Sequence, residues 1–453
     1  MTAEAAPSAE VEAAAGAGYG RGARILSVGI ATTGLVTFAY FSLASYHLGK
    51  TEYGFVSTLW AILFITISVI YRPVEQLLSR TIADRHARGL LGAHPLRGAV
   101  VIQGAFAALF LVAAFALRGT LEDALGGSAL FWVLVASALA YAASYFARGY
   151  CAGHGWFGLY GGLVFFEALA RVCFPLAAVL GLASGRTWVA LGILAAPLAS
   201  LVVMAVALRR HTARAPQGAV QAGAEAAAPP ANQAVAEAGA QTSARARAQA
   251  AEDGARAGGD GRFAVAVAGI GLGEQALLNV AVLLVPAGDA AGVVFNAFLI
   301  TRVPLQLFQS VQTSLLPHLA GLEVTEGAAA FGRAIRTTLL AVAGFAVAVA
   351  LGLLVLGPFA LELLLNGPGY SGLGLAAVAL GMGAHLAAGT LNQAALARGR
   401  ATAAAALWLT AAAAFTAWML LEPIADALAR AEVGYLGATS ALAAGLWGLY
   451  RQG

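Results

Sequence analysis

The chain has 453 residues, 60% of them apolar and 11% charged, with a mean hydropathy of +0.79. Soluble domains carry about 25% charge, so the composition excludes a soluble globular protein, and the net charge of +4 has no soluble face on which to form a nucleic-acid stripe. Cys151 and Cys173, the only cysteines, give neither a disulfide framework nor metal-ligand spacing.

In chain order, residues 1–24 are rich in Ala and Glu and lack signal-peptide architecture. They are expected to form a disordered cytoplasmic tail ahead of a first span that acts as an uncleaved anchor. Twelve apolar stretches of spanning length follow, taking ~20 residues as the requirement. The first six are 25–46, 55–75, 98–117, 128–147, 158–182 and 187–208. Residues 209–262 are Ala, Gly, Gln, Pro and Arg with few branched aliphatics. Such a segment cannot bury enough apolar area to offset its ordering entropy, and a flexible cytoplasmic linker is expected. The second six stretches are 263–285, 292–316, 335–357, 372–396, 402–421 and 433–450. The expected fold is therefore an all-α polytopic membrane protein, with one six-helix bundle over 25–208 and another over 263–453. Gly49–Leu59 and Ala287–Leu299 both enter a span through a Gly-bracketed turn, the one trace of repetition between the halves.

Arginine is sorted by side. With the first span running outward and the connections assigned alternately, twenty of the 26 basic residues fall inside and four outside: Lys50, Arg118, Arg186 and Arg430. Arg148 is assigned to an inner loop, while Arg171 and Arg302 fall within spans. This asymmetry places both ends in the cytoplasm of a cell (plasma) membrane protein, with the inner arginines favouring anionic membrane lipids.

Ionisable groups within spans are costly and are functional candidates by default. Glu167 and Arg171 are spaced i, i+4 on the fifth span, so they share a face and can pair, either as a structural lock or as a cavity-facing pair. Glu274 lies ~17 Å into the seventh span and Arg302 ~15 Å into the antiparallel eighth. The two sit at similar depth and could meet, as a structural salt bridge, a functional site or both. Arg302, Gln306, Gln309 and Thr313 form a polar stripe on one helix face, read as lining an aqueous cavity, and Pro304 permits a kink there. Glu75 is shallow and is expected to pair with Arg72 or Arg80. His385 is expected to be a satisfied core histidine. The sequence has no phosphate-binding loop, metal-ligand spacing or nucleophile elbow, so neither an enzyme nor a bound cofactor is expected.

Four phrases, in order along the chain, resemble the polysaccharide-transporter branch of the multidrug/oligosaccharidyl-lipid/polysaccharide (MOP) flippase superfamily. They are "LGKTEYG" (Leu48–Gly54), the Arg-x-Pro and Leu-Leu-Pro stretch of Ala290–Leu322, "GPFALELLLNGPGY" (Gly357–Tyr370) and "LNQAALARGR" (Leu391–Arg400). The long linker departs from the family pattern. The resemblance implies a V-shaped pair of six-helix bundles that rock to alternate access. It also implies flipping of a polyprenyl-diphosphate-linked oligosaccharide from the inner to the outer leaflet, and contact with a glycan polymerase or glycosyltransferases. In that reading Arg302 is the first headgroup contact, with Arg171, Arg72 and Arg80 behind it. The glutamines Gln306 and Gln309, with Asn296, read sugar hydroxyls, and Glu274 and Glu167 couple H+ or Na+. The rivals are a cation-coupled multidrug-type exporter on the same fold, a lipid II flippase and a non-transporting scaffold of a glycan-assembly complex.

Overall fold

A computed structural model describes residues 32–87, 96–214, 262, 265–299, 302, 327–366 and 369–452. The tail 1–24, most of the linker and the Gln306, Gln309, Thr313 and Pro304 positions lie outside these residues. Helices and short turns account for the described chain, and no strand occurs among the described residues. Physics requires this architecture. A lipid core offers no hydrogen bonds to backbone amides, so a span must satisfy them within itself.

The first half comprises α1 (32–47), α2 (Lys50–Thr66), α3 (Arg72–Ala87), α4 (Leu96–Ala116), the short α5 (Arg118–Ala124), α6 (Ser128–Gly153), α7 (Phe157–Val179) and α8 (Arg186–Arg214). The second comprises α9 (Val265–Leu284), α10 (Asp289–Leu299), α11 (Gly327–Leu365), α12 (Gly372–Ala397), α13 (Ala401–Leu421) and α14 (Ala427–Arg451). Eight helices among the described residues are long and apolar enough to cross a membrane; Arg186–Val202 and Asp289–Leu299 are shorter apolar stretches. The chain is a multi-pass membrane protein. Most apolar stretches coincide with a helix, but several helices run long. α11 extends over 39 residues instead of 335–357, and α8 continues through Arg214 into the region expected to be linker.

α2 and α3 form one rod interrupted by a five-residue π-helix, Ile67–Tyr71. The cause is Pro73, which has no amide proton and whose ring would collide with the carbonyl four residues back. Widening the preceding turn to i→i+5 relieves that conflict. Elsewhere the turns are short and capped. α6 ends with Gly155 donating to Ala152 (3.0 Å) and Trp156 to Cys151 (2.9 Å), and α12 with Gly399 donating to Leu396 (3.1 Å) and Arg400 to Ala395 (2.8 Å). Both are Schellman ends, and Gly155 and Gly399 take the left-handed conformation that the motif requires, with φ of 71° in each.

In the first half α6 packs on α3 and α8, and α7 on α8; in the second, α12 packs on α11 and α14, and α13 on α14. Burial separates inner from outer helices. The most apolar window of the α2–α3 rod is 61% buried and that of α11 only 17% buried, so α11 is a lipid-facing helix. The halves meet through aromatic rings, with Phe41 of α1 4.6 Å from Phe295 of α10.

Candidate functional site

The interior charges of the first half are gathered by α6. Tyr141, Ser144, Tyr145 and Arg148 recur at helical spacing and face α3, α7 and α8. Glu167, 2% exposed, accepts hydrogen bonds from Arg148 and Ser144, and Ser200 of α8 lies 3.1 Å away. The Arg148 guanidinium also stands 4.5 Å over the Tyr145 ring. The expected Glu167–Arg171 pair is thus replaced. Spacing of i, i+4 makes two side chains neighbours on their own helix, but three donors from other helices converge on Glu167. One turn along, Arg171 turns away to donate to Tyr141 (2.8 Å) and Thr37 (3.3 Å) and to cover Trp60 at 4.4 Å. Arg148, assigned to an inner loop from the sequence, lies inside α6 and is buried.

Arg72 opens α3 directly after the π-turn. Its side chain is exposed, yet its electrostatic neighbours are Glu75, Tyr145 and Tyr160 of its own half and Glu274 of the other. Arg72 therefore lies near the boundary between the halves, within the field of a carboxylate of each. Glu75, one turn on, accepts from Tyr160 at 2.7 Å and lies in the field of both Arg72 and Arg148. The expected Glu75–Arg72 neighbourhood is present. Arg80 lies about two turns further along α3.

In the second half Glu274 and Arg302 are engaged differently from expectation. Arg302 donates to the Leu278 carbonyl and, at 3.0 Å, to the Asn279 side chain, and its guanidinium is 6.0 Å from the Phe295 ring. It reaches α9 one turn beyond Glu274, where the backbone carbonyl and the amide oxygen are neutral acceptors for Nη2, while its buried Nε has no partner among the described residues. Glu274 lies in the field of Arg72, across the interface. Asn279 and its neighbour Gln275 are buried and hydrogen bonded to each other at 3.2 Å. His385 is buried, 3.2 Å from the Tyr435 hydroxyl and 5.2 Å from the Trp408 ring, so it is a core histidine, but its Nε2 has no partner among the described residues and only one ring nitrogen is satisfied. Asn296 accepts from Tyr53 of α2, which places it in the contact between the halves.

That contact shuts one end of the molecule. Thr51 donates to Asp289, Ser42 to the Leu364 carbonyl and Tyr46 to the Leu363 carbonyl, while Asn366 donates to the Ser45 carbonyl at 3.4 Å. Gly54 lies so close to Gly288 that a Cβ there would fall 1.8 Å from the Gly288 carbonyl oxygen. The two Gly-bracketed turns seen in the sequence are therefore partners in one seal. Sequence reasoning missed Arg148, Tyr160, Asn279 and Gln275; the signal for the first was the Tyr141–Ser144–Tyr145–Arg148 spacing on one face.

No protein-family model and no curated protein matches the chain. Solved structures do. An inward-facing multidrug resistance MATE family transporter of the MOP superfamily superposes with a TM-score of 0.69 at 11% identity, covering 94% of this chain and 97% of the other. The fold is that of MATE transporters of the MOP superfamily. The outward-facing form of a multidrug resistance MATE family transporter gives a TM-score of 0.61 at 12% identity, with 95% of each chain covered. A mutant of the Vibrio cholerae MATE transporter VcmN gives 0.60 at 16% identity, covering 96% of this chain and 98% of that one.

Proposed function

We propose that this chain is an exporter that works by alternating access and moves a polyprenyl-diphosphate-linked glycan precursor from the inner to the outer leaflet. The observation that carries the proposal is Arg72, an exposed guanidinium that lies in the field of Glu274 of the other half. A diphosphate headgroup needs a forked, permanently charged donor in a wet site. Of the arginines expected to supply it, Arg72 is exposed near the boundary between the halves, whereas Arg171 and Arg302 are engaged by neighbours of their own half. Arg72 is therefore the first contact in this mechanism, with Arg302 behind it and Glu274 the group whose pairing changes as the headgroup or a coupling cation arrives.

Under the positive-inside assignment, the sealed end is the outer one and the cavity opens to the cytoplasm. The higher TM-score against the inward-facing MATE structure than against the outward-facing one supports the same sidedness. A lipid-linked precursor made on the cytoplasmic face would enter such a cavity from the inner leaflet. The seal must then open by rotation of one half about the other, breaking the Thr51–Asp289 and Tyr53–Asn296 bonds.

A second reading is a cation-coupled small-molecule exporter. It is favoured by the aromatic junction of Phe41, Trp60 and Phe295, and by the multidrug transporters among the structures superposed. One experiment separates the two. Lipid-linked oligosaccharides are measured by mass spectrometry in cells depleted of the protein and rescued with wild type or Arg72→Ala. Accumulation of one polyprenyl diphosphate glycan, cleared by wild type but not by the variant at equal membrane abundance, supports the flippase. Intact surface glycans with no accumulation, together with new drug sensitivity, replace it with the small-molecule exporter.

A further inference from the structure

A second concave feature is built from the C-terminal half alone. Helices α11, α12 and α14 surround a cavity of ≈440 Å³ whose walls include Val342, Ala343, Ala384, Leu391, Ala444 and Trp447. This lies within the range of roughly 300–1,000 Å³ typical of small-ligand sites. Trp447 apart, its lining is aliphatic or glycine. Ala343, Ala444 and Trp447 are exposed, so the cavity opens on the lipid-facing surface as a slot.

Arginines gather at one end of this slot. Arg336 precedes the wall residue Leu339 by three positions, Arg398 follows Leu391 by about two turns, and Arg451 follows Trp447 by four residues. An aromatic platform ties the three helix ends together. Arg398 lies 4.7 Å from the Phe331 ring and 5.0 Å from the Tyr450 ring, and these rings stack at 6.3 Å. Arg400 donates to the Leu449 carbonyl at 2.8 Å, and Arg451 stands 5.7 Å over Trp447. Arg333, Arg336 and Arg451 remain exposed.

The acidic residues of these helices, Glu362 and Glu432, lie near their opposite ends, and Glu323 and Glu326 ahead of α11 lie outside the described residues. Residues 327–361, 372–421 and 433–453 contain neither Asp nor Glu. The arginines at the opposite end of the molecule are treated differently. Arg118 pairs with Glu122 at 2.8 Å, Arg430 with Glu422 at 3.4 Å, and Arg186 donates to the Gly126 carbonyl at 2.5 Å.

We infer that this is a binding site for an anionic glycerophospholipid, with one acyl chain in the slot and the phosphate on Arg333, Arg336 and Arg451. An apolar groove ending in exposed cationic side chains complements an amphiphile of that charge. The choice of a resident phospholipid over the transported carrier follows from placement. The slot belongs to one half, so its occupant stays seated as the halves move, whereas cargo must pass between them. The inference holds whichever substrate the central cavity takes.

The test is native mass spectrometry of the full chain in detergent, titrated with phosphatidylglycerol or phosphatidylcholine. Two variants accompany wild type: R333Q/R336Q/R451Q, which removes the charge, and A343F/A444F, which fills the slot from its exposed side. Wild type should prefer phosphatidylglycerol, and the charge variant should lose on the order of a hundredfold in affinity for it, at roughly fivefold per arginine near a charged headgroup. The filled slot should lose both lipids. Equal binding of the two lipids by wild type, or unchanged phosphatidylglycerol binding in the charge variant, would overturn the inference. So would displacement of phosphatidylglycerol by polyprenyl diphosphate at matched concentration, which assigns the slot to the carrier. The charge variant alters exposed side chains only, so it decides the matter even where the filled slot fails to fold.

Discussion

The two halves hold their interior charges in different ways. The first half neutralises charge with charge: Arg148 answers Glu167, and hydroxyls of Ser144 and Ser200 complete the carboxylate's shell. The second half holds Arg302 with a backbone carbonyl and the Asn279 amide, both neutral. Its carboxylate, Glu274, lies in the field of Arg72 of the first half. A buried pair satisfied inside one bundle moves with that bundle as a rigid unit. A pair of opposite charges on opposite halves changes its separation whenever the halves move, and its Coulomb energy changes with it. The comparison thus sorts the interior charges into fixed and adjustable sets.

The largest test breaks a fixed pair. Glu167→Ala leaves the Arg148 guanidinium buried without its counter-ion and should destabilise the protein by about 3–5 kcal/mol, read as a lowered thermal midpoint in detergent and a fall in membrane abundance. A variant as stable as wild type would remove this pair from the fixed set. Gly54→Val acts next, on the seal. Its side chain cannot coexist with the Gly288 carbonyl, and overpacking of about 1–3 kcal/mol should favour opening of the sealed end. A Thr51→Cys/Asp289→Cys double variant reports this directly, through crosslinking that is efficient alone and weak once Gly54→Val is added. Tyr53→Phe removes one hydrogen bond from the same seal and should shift the balance the same way by about 0.5–1.5 kcal/mol; crosslinking unchanged within error would show that the bond is not part of the closure energy. Smallest in stability is Glu274→Gln, an adjustable charge, expected to cost under about 1 kcal/mol in the thermal midpoint if the site is wet while abolishing transport. Full transport by this variant would end its assignment as a coupling group.

Much of this was legible in the sequence, for identifiable reasons. Helix positions followed from apolar length, and the stretches 372–396 and 402–421 became Gly372–Ala397 and Ala401–Leu421 almost unchanged. The Gly-bracketed turns marked two elements that proved to be mutual partners. Partner choice among buried charges was not legible. The i, i+4 rule sees only one helix, whereas Glu167 finds its cation 19 residues back on α6, beyond a turn whose rotation no local pattern encodes. Arg148 was misplaced because a charge near a helix end counts the same for topology whether it points to water or inward. Arg302 lay within reach of Glu274 by depth alone, and depth says nothing of azimuth around the helix.

Azimuth is also what the π-turn before Pro73 changes. One extra residue in a turn advances everything downstream by about 100°. The rod therefore has two rotational phases. The part before the π-turn presents Tyr53 and Trp60 to α1 and the seal, and the part after it presents Val74, Leu78 and Ile82 to α4 and α6. Removing a single residue from 67–71 would leave the length of the span nearly intact and yet swing Arg72 away from the boundary between the halves. The smallest edit possible in a helix is enough to decide which neighbour the rest of a span belongs to.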